Sequence, residues 1–176
     1  MSQSAPPPQP QPQPTDGNPY AQQPGGAVPP PPAPAVPYAP APVKDNIGLG
    51  LAAAFGAAVV VAGVYGAIIG LTKHEIGWAA VGVGFLIGLA AGRVGGRNPI
   101  LPVASAVLSL GAVYLGQLVG EAMIGAKETT LSFSELFFQH LDVVQEAWKA
   151  DSDPLTFVFF AIAAYVAFTG AKKAAL

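Results

Sequence analysis

Four stretches of this chain run without a charged residue over lengths suited to a hydrocarbon solvent. Asn46–Thr72, Ile76–Gly92, Asn98–Gly120 and Pro154–Ala171 contain no Asp, Glu, Lys or Arg. At about 1.5 Å per helical residue, the first and third are long enough to cross a ~30 Å hydrocarbon core with some tilt. The second is near the lower limit for a span. It can draw on Trp78 at one interface and on a snorkelling Arg93 at the other. Overall, 52% of the residues are hydrophobic and 10% are charged, against about 25% charged in a soluble domain. The expected fold class is therefore an all-α membrane protein. Four transmembrane helices are expected at about 46–72, 76–93, 98–121 and 154–171, with an amphipathic helix in the last loop and a disordered N-terminal tail.

Local signals punctuate these runs. Pro99 and Pro102 fall in the first turns of the third span, where missing amide hydrogens do least harm. "DSDP" opens the fourth, with Asp153 as N-cap and Pro154 as the first helical residue. In the last loop, Ser132 and Glu135 have capping-box spacing. Phe133, Leu136, Phe137, His140, Leu141, Val144 and Trp148 then recur at helical period, which predicts an amphipathic helix over about 132–150. Surface-seeking helices of the antimicrobial type are basic. This one is acidic, so it is expected to pack on the protein's own spans, with His140 on its apolar face.

Residues 1–45 read as a separate tail, and 46–176 as the transmembrane domain. Residues 1–43 hold 16 of the 19 prolines and one charge, Asp16. Proline lacks an amide donor and fixes φ, so "PPPQPQPQP" and "VPPPPAPAVPYAP" are expected to sample extended polyproline II without a packed core. Such segments suit the aromatic grooves of SH3- or WW-type domains, which makes a proline-binding protein a candidate partner. The tail has neither the basic nor the apolar region of a cleavable signal peptide, so the first span is expected to remain as an anchor.

Four spans place both ends of the domain on one side. With that side cytoplasmic, Lys44, Arg93, Arg97, Lys172 and Lys173 lie inside, and Lys73, Lys127 and Lys149 outside. The positive-inside rule favours this orientation in a cell membrane. Arg93 and Arg97 are thereby topology markers, and candidates to hold an anionic lipid head group.

Small residues recur within the spans. Gly84, Gly88 and Gly92 fall four apart on one helix face, in "GFLIGLAAGRVGGRNP" (84–99). Gly63, Gly66 and Gly70 repeat the theme in the first span, and Gly116 and Gly120 in the third. Lipid supplies little hydrophobic drive between helices, so stripes that let backbones approach mark packing faces. The Gly/Arg run is not a phosphate loop, because it lacks the Gly-Lys-Ser/Thr ending and a preceding strand. Tyr114, Gln117 and Glu121 form a polar stripe at i, i+3 and i+7.

Chemistry-bearing constellations are sparse. The chain has no cysteine and only two histidines. No Ser–His–acid set, H-E-x-x-H or calcium-loop pattern occurs. Eight basic residues with a net charge of −2 form no stripe for nucleic acid. No catalytic, cofactor-binding or metal-binding residue is expected, and neither is enzymatic activity.

The order of features resembles small four-span bacterial membrane proteins that carry no assigned activity. "EIGWAAVGVGFLIGLAAGRVGG" (75–96) carries that resemblance most specifically. The proline- and alanine-rich leader is similar to cytoplasmic tails of high-GC actinobacterial proteins. The resemblance implies no site residues. The expected role is a non-enzymatic interaction or scaffold protein of the bacterial cell membrane. Its expected partners are the lipid bilayer and a second copy or another membrane protein. The alternative is a small transporter or channel component, which would need a polar path through the spans.

Overall fold

A computed structural model describes residues 45–175 of the chain. The proline-rich tail and its SH3- or WW-type partner fall on residues 1–44, outside the described residues. Asp45, placed in the tail by composition, is tied to the domain. It bridges Gly96, and its carboxylate accepts from Asn98 Nδ2 at 3.0 Å.

Six helices and no strand occur among the described residues: α1 (Ile47–Thr72), α2 (Gly77–Gly95), α3 (Ile100–Glu128), α4 (Phe133–Gln139), α5 (Leu141–Asp151) and α6 (Pro154–Ala174). α1, α4 and α6 start where side chains satisfy the free amides of a first turn. Asn46 caps Leu49. Ser132 and Glu135 form a reciprocal capping box at α4, and Asp153 does the same with Thr156 at α6, ahead of Pro154. α1 ends on Lys73 in the left-handed region (φ 56°), a geometry that closes a helix by returning its amide to an earlier carbonyl.

α1, α2, α3 and α6 are long and apolar enough to cross a membrane. They form a diamond in cross-section. α1 packs chiefly on α3, and α2 on α6. α2 and α3 meet along the short diagonal, while α1 and α6 do not touch. In the most apolar window of each span, α2 and α3 are 39% and 44% buried, against 22% for α1 and for α6. The outer helices therefore turn large apolar side chains outward, including Phe55, Val60, Phe157 and Tyr165. An apolar exterior over a small-residue core is the packing that lipid selects.

Three spans run past their charge-free stretches. α2 continues beyond Arg93 to Gly95, α3 beyond Glu121 to Glu128, and α6 beyond Ala171 to Ala174. A charge ends an apolar run, but it does not break backbone hydrogen bonding. At 29 residues, α3 is about 43 Å long. Its last turns carry the loop helices through a cluster of Leu118, Ala122, Leu136 and Val144.

The amphipathic segment of the last loop consists of two helices that meet at His140 (φ −127°, ψ 43°), the C-cap of α4 and the N-cap of α5. The break turns the face. Leu136 and Val144 are buried, Phe137 and Trp148 half-buried, and Phe133, His140 and Leu141 exposed. His140 is thus a solvent-side junction residue, not a packing residue.

Candidate functional site

The polar residues gather at the end of the bundle where α1 turns into α2. Lys73 to Ile76 form that turn, and Glu75 points its carboxylate back across the bundle end. Gln117 of α3 is buried, and both ends of its amide are used. Nε2 donates to Glu75 Oε1, and Oε1 accepts from the Trp148 indole at 2.7 Å. Tyr114, one turn before Gln117, meets the Trp148 ring edge-on at a centroid distance of 4.9 Å. Thr156 Oγ1 lies 3.1 Å from Asp153 Oδ1 and 3.4 Å from Glu75 Oε2. A hydroxyl has one proton to give, so the two carboxylates compete for it. The Tyr65 hydroxyl is buried beside Gln117 and in the field of Glu75, yet makes no hydrogen bond of ordinary geometry. One amide thus links the α1–α2 turn, α3 and α5, and Thr156 brings in α6.

Beside this knot is a pocket of about 180 Å³ lined by Glu75, Asp151, Asp153 and Thr156, with Gly77, Leu155 and Phe159 as its apolar wall. Although Glu75 is exposed as a residue, its carboxyl is partly withdrawn from water. That burial pushes its pKa up, against the lowering effect of its bonds to Thr156 and Gln117, and Asp153 adds to the rise. Asp153 moves the other way, held below the carboxylate range by the backbone amide and then the hydroxyl of Thr156. No group of three or more His, Asp or Glu among the described residues could hold a metal ion.

Because Glu75 binds its proton more tightly folded than unfolded, its contribution to stability is fully present below the ordinary value of 4.5. That contribution is lost as pH rises through the raised folded value. Glu75→Gln keeps an acceptor oxygen for Gln117 and removes the charge. The melting temperature of the variant minus that of the natural chain should therefore grow from pH 4 to pH 7 in detergent. A difference independent of pH would show that Glu75 is as solvated in the folded chain as in the unfolded one.

The glycines divide by what faces them. A Cβ on Gly84, Gly88 or Gly92 would collide with the carbonyl oxygen of Ala163, Ala167 or Ala171, so these three bring the α2 backbone against α6. Gly66 and Gly70 face Val119 and Met123 of α3, while Gly116 and Gly120 face Tyr65 and Ile69 of α1. Gly63 takes no part in packing among the described residues: it is exposed, with nothing within 4 Å of a Cβ. The buried stripe of α1 steps by four through Ala54, Ala58, Ala62, Gly66 and Gly70, and the three-residue step to Gly63 leaves it. Sequence reasoning missed Gly50, where a Cβ would lie 2.7 Å from Gly95 Cα. The only signal was two small residues near span ends, too weak to pair them.

The polar stripe divides as well. Tyr114 and Gln117 join the knot, while Glu121 is half-buried and its side chain makes no hydrogen bond or ion pair to the described residues. Deeper in the bundle the core is apolar, built from Ala54, Ala58, Val83, Ile87 and Val113 among others. Ser105 returns its hydroxyl to Leu101 O within its own helix. At the opposite end, Arg93 lies in the last turn of α2, and Arg97 in the α2–α3 turn near Lys172.

No protein-family model, curated protein or solved structure matches the chain. The four apolar helices define it as a multi-pass α-helical membrane protein.

Proposed function

We propose that this is a non-enzymatic interaction or scaffold protein of the bacterial cell membrane, with Arg93, Arg97, Lys172 and Lys173 at its cytoplasmic end. The observation that supports this reading is the outward face of α1. Gly48, Ala52, Gly56 and Gly63 are all exposed there, within an arc of about 80° at 100° per residue that also carries the exposed Val59. The three glycines have open space where a Cβ would be. Small-residue faces let helices of different chains come close in lipid, and packing among the described helices leaves this one unused. Its occupant on this reading is another apolar helix, from a second copy or a different membrane protein. The knot around Gln117 then serves to hold the loop helices on the bundle end.

Gly56→Leu tests the reading with little disturbance of the fold, because a Cβ at this position has no atom of the described residues within 4 Å. The natural protein should crosslink as an oligomer, or to a defined membrane protein, in native membranes. The variant should lose that product while keeping its melting temperature. A monomer that crosslinks to nothing, or a variant with an unchanged crosslink, would overturn the proposal.

A further inference from the structure

At the end of the bundle opposite the knot, the α2–α3 turn and the last turn of α6 enclose a pocket of about 240 Å³. Its walls include Gly96, Arg97, Asn98, Pro99, Pro102 and Lys172. Asn98 is already committed: Nδ2 donates to Asp45, and Oδ1 accepts from the amide of Ile100. The cationic residues of the lining are Arg97 and Lys172, and the Lys172 ammonium lies 5.2 Å from the centroid of the Phe168 ring, just outside that lining. They come from different elements and lie at the level where α2 and α6 end their apolar runs. Pro99 and Pro102 are among the apolar residues of the lining, and their sequence neighbours Ile100 and Val103 expose apolar side chains at the start of α3.

We propose that this pocket seats the phosphate of an anionic membrane lipid, with Arg97 and Lys172 as its charge partners and the acyl chains along Ile100 and Val103. Two cationic residues lining one cavity match a phosphodiester better than they match a neutral head group. The adjoining apolar wall distinguishes a lipid from a free phosphate, which has no use for it. This site lies apart from the outward face of α1, so its occupancy does not depend on oligomer formation.

Native mass spectrometry of the full chain released from detergent tests the assignment, with phosphatidylglycerol, phosphatidylcholine and inorganic phosphate as probes. The natural protein should retain phosphatidylglycerol in preference to phosphatidylcholine. Arg97→Gln with Lys172→Gln should weaken that retention by about fivefold for each charge removed, and Arg97→Lys should largely preserve it. Lys73→Gln with Lys149→Gln makes the same charge change at the other end and should leave retention intact. Circular dichroism confirms that each variant is folded. Equal loss in both double variants, or no loss in the first, would overturn the site. Inorganic phosphate binding as well as the lipid and displacing it would overturn the lipid assignment in favour of a soluble anion.

Discussion

Gly88→Leu should force α2 and α6 apart and cost the folded protein about 3 kcal/mol or more, the upper end of what overpacking produces. The obstacle is backbone: a Cβ at this position runs into the carbonyl group of Ala167, with the Cα of Ala167 at 3.0 Å. A side chain can rotate out of the way, but a helical carbonyl is held by its own hydrogen bond. Gly84 and Gly92 make the same contact one turn before and one turn after, with Ala163 and Ala171. The whole seam must therefore open together. In lipid the loss is not offset by an exterior that repels apolar surface, because close contact is what holds the helices together. Gly82→Leu is the matched control, since Gly82 sits on the same helix with open space around it. Thermal melts in detergent should show a large loss for Gly88→Leu and little change for Gly82→Leu. Equal effects would mean that α2 and α6 are not in backbone contact.

Gln117→Ala should detach the loop helices from the bundle end. The substitution removes the acceptor of the Trp148 indole and a donor to Glu75 at once. Leaving such groups unsatisfied costs about 1–3 kcal/mol each when they are buried. Both are only partly buried here, so about 2–3 kcal/mol in total is expected. Trp148 is one of two tryptophans, and in a Trp78→Phe background its emission reports this site alone. Gln117→Ala should shift that emission to the red as the indole leaves Tyr114 and meets water. Unchanged emission would show that Leu136 and Val144 hold the segment without the amide.

The spans were legible because desolvating a charge in hydrocarbon is costly, so charge-free length alone marks what can cross. The caps were legible too. Ser132 with Glu135, and Asp153 ahead of Pro154, act within one turn, where spacing in sequence is spacing in space. Helix ends were less legible, as Arg93 and Glu121 mark where the charge-free run stops and not where the backbone ladder stops. The break at His140 gave no signal, because the apolar period of the segment continues on both sides of it. Of the polar stripe, spacing identified Tyr114 and Gln117 on one face. It did not identify Glu75 and Trp148, which are 42 and 31 residues from Gln117.

By itself the sequence determined an α-helical membrane domain with four spans and small-residue faces, since hydropathy and helical period are properties of single segments. Tertiary structure decided which glycine meets which backbone. A four-residue stripe drifts by about 40° per step around a helix of 3.6 residues per turn, so the partner's path selects which members are buried. That is why Gly66 and Gly70 pack on α3 while Gly63, on the same helix and of the same residue type, is left facing outward. It also brought Glu75, Gln117, Trp148 and Thr156 to one point, and Arg97 to Lys172 at the other end. Residues far apart in the chain become neighbours only when the backbones between them have chosen their contacts.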